Sequence, residues 1–319
     1  MKQKEERNDE QFSRKSDFLP FDIGGIVMIS MLVLLIFGCA APAEPAPTEI
    51  VQPGPTNTPE PQVVATDTPV ETGIGRTEIS QIDGVTMFYI PAGEFEMGNE
   101  GNDEDEKPVH TVYVDAFWMD QFEVTNALYA RCVEAGKCDP PDSSASDARE
   151  SYYGNPEFAN YPVIYVSWND AVTYCEWAER RLPTEAEWEK AASWDEKNQT
   201  KNIYPWGESI DCSWANYWNQ GSGCVGETTA VGFYESGRSP YGPYDMVGNV
   251  WEWTSSLLRP YPYDAADGRE EPAYVDPRVL RGGSWRNDGS DARSANRFRF
   301  DPTNTFPYVG FRCARDATP

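Results

Sequence analysis

The chain has 319 residues and carries 52 Asp and Glu against 26 Lys and Arg, a formal net charge of -26. That balance excludes nucleic acid as a partner, because phosphate binding needs a basic face. It also excludes adhesion to anionic lipid headgroups through a basic patch. An acidic surface suits a soluble extracellular protein and also a calcium-binding one.

In chain order, residues 1–22 mix basic and acidic side chains, and residues 23–38 (IGGIVMISMLVLLIFG) carry no charge. The run is shorter than the 18 or more apolar residues of a spanning helix and fits the apolar region of a signal sequence. Cys39 follows at once, with Ile36 three residues before it and Gly38 directly before it. This pattern resembles the lipobox of bacterial lipoproteins, which implies lipidation at Cys39. An uncleaved signal anchor is the alternative. Either way residues 1–39 form the export signal, and the chain after it is expected at the cell membrane on the extracytoplasmic side. Residues 40–78 are rich in Pro, Thr, Glu and Ala and have no hydrophobic period, so they cannot bury a core. They read as a disordered stalk reaching on the order of 100 Å, at about 3.1 Å per residue of extended chain.

Residues 79–319 read as one folded domain, with no internal repeat of fixed period. GVTMFYIPAGEFEMG predicts two strands about a Pro-Ala-Gly turn, and HTVYVDAFWMD a further alternating run. EVTNALYARCVEAG predicts a helix capped near Thr125. VSWNDAVTYCEWAERR predicts a second, with a Ser167–Asp170 capping box and Ala171, Tyr174, Cys175 and Ala178 on one face. Thr184 and Glu187 form the same box for a third helix, with Trp188 pointing inward. The acidic run Glu94–Glu106 reads as a solvated loop. Beyond Ser193, Gly and aromatics dominate in turns and short strands, so the class is α+β with few helices and much irregular structure.

Six cysteines follow Cys39, an even number in an oxidising location. Closeness in sequence suggests Cys132 with Cys138 and Cys212 with Cys224, which leaves Cys175 with Cys313. Closing so long a loop stabilises by roughly 4–5 kcal/mol on chain-entropy grounds. A free reactive thiol or metal ligand is the rival reading.

IPAGEFEMG, FEVTNALY, PVIYVSWNDAVTYCEWAERRLPTEAEWEKAA, YPWG, YDMVGNVWEWT, LRGGSW and VGFRCAR occur in this order. Together, across residues 82–315, they resemble the formylglycine-generating enzyme (sulfatase-modifying factor) family. The resemblance implies an irregular α+β fold with C-type-lectin-like topology. It implies an oxidase that turns a sulfatase cysteine into formylglycine, with Cu(I) on two cysteines just after the RGGS motif. Here those positions hold Asn287 and, more loosely, Ala292, and no Cys lies between Cys224 and Cys313. Cu(I) is soft and needs thiolates, so copper and the oxidase reaction are not expected. A second branch of the family holds iron on three histidines, and this chain has only His110, which reads as structural.

The resemblance also implies calcium. The first set is the side chains of Asp245, in place of the more usual Asn, and Glu252, with the carbonyls of Gly248 and Val250. A weaker second set begins at Asn216 and the carbonyl of Tyr217, with Glu227 the nearby acid. The reading without metal is a turn in which Glu252 caps backbone amides. The groove of the former active site is expected to be lined by Trp251, Ser284, Asn287 and Arg297. Two functions remain open: a surface domain that binds a protein, peptide or glycan without oxidase activity, or an enzyme that modifies an exported protein or metabolite.

Overall fold

The computed structural model describes residues 73–317 except 102, 220 and 222. The export signal, Cys39 and nearly all of the stalk lie outside the described residues. Two four-stranded sheets carry the fold. The first is ordered β1 (Thr77–Ile79), β2 (Thr86–Ile90), β5 (Phe117–Asp120), β12 (Ala314–Asp316), all antiparallel. It joins the first and last strands of the domain, and Arg315 pairs with Glu78 at 2.9 Å. The second is ordered β10 (Phe298–Phe300), β9 (Arg278–Arg281), β8 (Trp251–Leu257), β11 (Val309–Gly310), with β11 parallel to β8. Two hairpins complete it: β3 (Gly93–Met97) with β4 (His110–Val114), and β6 (Trp194–Asp195) with β7 (Thr200–Lys201).

Three helices form where side chains satisfy their first amide groups. They are α1 (Asn126–Glu134), α2 (Trp168–Trp177) and α3 (Glu185–Ser193). Thr125 Oγ1 accepts from Leu128 N, and Ser167–Asp170 and Thr184–Glu187 are reciprocal capping boxes. The predicted face of α2 is buried from Ala171 to Ala178. In α3 all nine residues are buried, including Glu185, Glu187, Glu189 and Lys190.

These buried charges are compensated by arginines. Arg281 pairs with Glu189, which also takes Lys201, and Arg297 Nε donates to Glu185 at 2.6 Å. Arg180 bridges Asp83 and Asp120. Burial raises Asp120 to about 6 even with Arg180 beside it. The acidic run is a correction to the sequence reading. Glu94 and Glu96 lie on the exposed side of β3, but Glu106 is buried and gripped by Arg293 at 2.6 and 2.8 Å. Its partner lies 187 residues away, beyond the reach of any local pattern. The three disulfides are Cys132–Cys138, Cys175–Cys313 and Cys212–Cys224, the pairing drawn from closeness and remainder.

His110 acts as a latch. Its Nδ1 donates to Pro108 O at 2.8 Å, and Nε2 accepts from Tyr263 N at 2.7 Å. Burial holds its pKa below the ordinary 6.5. Protonation would set an N–H against the Tyr263 amide.

Arg180→Met strands two buried carboxylates and is expected to cost roughly 3–5 kcal/mol in urea unfolding with the disulfides intact. For His110, the folded state binds fewer protons than the unfolded one below 6.5. Its contribution is therefore lost as pH falls through 6.5 and levels off below the folded pKa. Asp120 and Asp245, both raised to about 6, have the opposite sign in that range. The difference between the wild type and His110→Gln, measured by urea unfolding between about pH 5 and 8, isolates the histidine. A difference independent of pH would contradict the latch.

Candidate functional site

The centre of the domain is built from two turns. The first runs from Asp245 to Asn249 into β8, and the second follows β9 through Gly282 and Gly283. Gly248 has φ +78°, and a Cβ there would lie 2.4 Å from Asn216 O, so only glycine lets the two segments touch. Gly283 has φ +73°, and a Cβ would lie 2.9 Å from Ala292 Cα. These close approaches set Ser284 and Asn287 beside the indole N–H of Trp251.

Three of the four predicted groove residues form one network. Asn287 Oδ1 accepts from Ser284 Oγ at 2.6 Å and from Trp251 Nε1 at 2.9 Å. Asn287 Nδ2 reaches Asp291 Oδ2 at 3.4 Å. The backbone of Asn287 is fixed as well, its N–H on Ser284 O and its carbonyl under Trp218 N. All three side chains are buried, Ser284 completely. Ala292 is buried against Gly283.

Arg297 does not belong to this network. Its guanidinium is spent on Glu185, on the carbonyls of Asp105 and Arg259, and on the face of Tyr261, 4.0 Å away. The sequence reading therefore misassigned an arginine that holds α3. It missed Phe298, whose ring stacks on Trp251 at 5.6 Å and begins a row through Phe300, Phe306 and Tyr308. The apolar alternation of FRF was the available signal.

The donors at the Asn287 position are an amide oxygen, a hydroxyl and an indole N–H. These do not suit Cu(I). All six described cysteines are in disulfides.

The residues expected around calcium are differently engaged. Glu252 is buried and bound by Arg312 at 2.6 and 2.7 Å, and Trp188 Nε1 donates to it at 2.8 Å. Asp245, at φ 55°, takes Gly232 N at 2.5 Å. Glu123, which the sequence reading did not select, is buried near enough to Asp245 for that acid's charge to raise its pKa. Burial and then the Asp245 charge hold Glu123 well above the ordinary carboxylate range, and burial raises Asp245 to about 6. Glu123 Oε1 accepts from Asn249 Nδ2 at 3.0 Å, while its buried Oε2 has no donor. A donorless, buried carboxylate oxygen beside a second carboxylate fits a hard cation. At the second position Asn216 Oδ1 is likewise buried without a donor, and Tyr217 O accepts from Cys224 N at 2.9 Å. Glu227 is spent on Ser146, Ala148 and Thr228.

The architecture is an irregular α+β scaffold of C-type-lectin-like topology, with many short strands and a closed central network. The pattern of the sulfatase-modifying factor enzyme 1-like domain matches residues 76–317, and the chain belongs to that family. Among relatives, the inactive C-alpha-formylglycine-generating enzyme 2 of Bos taurus is 35% identical over 300 residues, covering 78% of this chain and 91% of the relative. The serine/threonine-protein kinase pkn1 of Chlamydia caviae is 35% identical over 246 residues and covers 72% of this chain. The match spans only 38% of that kinase's length. The structure of PvdO from Pseudomonas aeruginosa superposes with a TM-score of 0.63 at 26% identity, over 77% of this chain and 99% of PvdO.

Asn287→Ala removes the shared acceptor of a buried hydroxyl and a buried indole. It is expected to cost about 1–3 kcal/mol in denaturant unfolding. Asn287→Asp keeps the oxygen but sets a second carboxylate against Asp291 in place of the amide donor, and is expected to cost more.

Proposed function

We propose that this chain is a membrane-tethered, extracytoplasmic domain that has left the family's oxidase reaction and serves as a calcium-stabilised binding or accessory protein. One observation carries the reading: Asn287 Oδ1, at the position of a family copper thiolate, is an acceptor saturated by Ser284 and Trp251 inside the core. A hydrogen-bonded amide offers no soft ligand and no path for thiol oxidation. The likeness to a relative whose name includes "inactive" supports the same reading. The tether is lipid on Cys39 or an uncleaved signal anchor. The occupant of the surface is a protein, peptide or glycan. Calcium is proposed at the Asp245 turn, with a secondary position at Asn216 and Tyr217 supported by the donorless Asn216 Oδ1.

A second reading rests on the row of rings that starts at Trp251: half-buried aromatics beside the old reaction centre suit a reused groove acting on an exported protein or metabolite. The test is to incubate the full-length protein with Cu(I), oxygen and a sulfatase-type cysteine peptide. The expected outcome is an unchanged thiol by mass spectrometry. Conversion of the thiol to an aldehyde would overturn the proposal. Turnover of another substrate would favour the second reading. A mass spectrum of the mature N-terminus reads the acylation of Cys39 directly.

A further inference from the structure

We propose that the Cys212–Cys224 disulfide is a thiol-exchange site that takes two electrons from a pair of protein thiols set in a basic segment. The site needs neither copper nor oxygen, and it stands whether or not the binding reading holds.

Of the three disulfides among the described residues, this one alone is open to solvent at both ends. Cys132, Cys138, Cys175 and Cys313 are buried, whereas Cys212 and Cys224 are both partly exposed. Exchange requires a thiolate to reach one of the sulfurs, so access selects the bridge that reacts. Asn219 Nδ2 donates to Cys212 Sγ at 3.5 Å. A donor stabilises a sulfur that takes on negative charge, which assigns the roles: Cys224 is attacked and Cys212 leaves. The segment between them does not depend on the bridge. Trp218 N donates to Asn287 O at 2.7 Å, Asn216 Nδ2 to Glu227 O at 2.7 Å, and Asn216 O accepts from Asn249 N at 2.8 Å. These anchors remain when the bridge opens. Asp211 precedes Cys212, its carboxylate held by Ser213 N at 2.7 Å, and Asp288 pairs with Trp218 across a bridge. Both acids are exposed. They favour a thiol segment rich in Lys or Arg, whose positive charge also raises its own thiolate fraction.

The exchange balances without another reagent. The first substrate thiolate bonds to Cys224 Sγ, the S–S bond breaks, and its electron pair leaves with Cys212. The second substrate thiolate then attacks the substrate sulfur of the mixed disulfide, and Cys224 leaves as a thiolate. The substrate ends with one disulfide, and Cys212 and Cys224 take up the two protons that the substrate thiols lost. A substrate with one thiol is expelled when Cys212 closes the ring again, so a single cysteine is returned unchanged.

The test incubates the oxidised full-length protein with a Lys-rich peptide carrying two cysteines. The reaction is quenched with acid, and free thiols are alkylated and mapped by mass spectrometry. Cys212–Cys224 is expected to open about tenfold faster or more than the other two bridges, with one peptide disulfide formed for each bridge opened. A Glu-rich version of the peptide is expected to react about threefold more slowly or worse. A single-cysteine peptide quenched early is expected on Cys224 and not on Cys212. Asn219→Ala is expected to slow opening about threefold or more, while the oxidised variant melts as the wild type does. Circular dichroism is expected to show the native fold after opening. Cys212→Ser combined with Cys224→Ser is expected to fold and to leave the peptide thiols free. Opening no faster than that of Cys132–Cys138, or loss of the fold on opening, would identify a structural bridge and overturn the proposal. Equal rates for the two peptides would overturn the preference for a basic segment. Peptide found on Cys212, or an unchanged rate in Asn219→Ala, would overturn the roles assigned to the two sulfurs.

Discussion

A helix with no exposed face is the constraint from which the rest of this domain is organised. α3 buries nine consecutive residues, four of them charged, so every neighbour must bring the complementary group. Arg281 from β9 meets Glu189, and Arg297, next to β10, meets Glu185. Arg181 pairs Glu187 and ties it to Asp316 at the domain's last strand. Lys190 donates to the carbonyls of Pro91 and Gly93 at the start of β3. Replacing such pairs by apolar residues is often neutral or favourable in other proteins, so their net contribution to stability is not assumed. What they impose is register: no strand can slide without leaving a buried charge alone.

The same buried contacts account for the family motifs in this chain. Trp188 and Arg312 both bind Glu252, and Arg281 holds Glu189 together with the carbonyls of Ala295 and Asn296. RLPTEAEWE, GNVWEW, RGGSW and VGFRC are thus one interlocking set of buried contacts. Each motif reports the scaffold. Asn287 joins this set through Ser284 and Trp251. The amide at 287 then made a hydrogen-bonded lock between the RGGS turn and β8.

The local part of this structure was legible in the sequence. Capping boxes act over three residues, and the buried face of α2 repeats at helical spacing, so both are written in short windows. The disulfides were partly readable for the same reason, two of them closing short loops. Misreadings came where the partner is remote. Glu106 looked solvated because Arg293 is far along the chain, and Arg297 looked like a groove residue because Glu185 is also remote in sequence. Glu123 was passed over inside FEVTNALY, although a lone acid in an apolar stretch is itself a sign of burial with a partner.

The interior also bears on the charge of the whole chain. Among the described residues, ten acidic and eight basic side chains are buried. Arg278 and Lys190 spend their protons on carbonyls, so the buried cations fall short of the buried anions. Glu227 manages without a cation because hydroxyl and amide donors reach both of its oxygens. Glu123 has no such arrangement, and its neighbour Asp245 gains only one backbone amide. The excess of acidic groups that marks the chain's surface therefore extends into its core. Its least compensated members, Glu123 and Asp245, lie at the turn leading into Trp251.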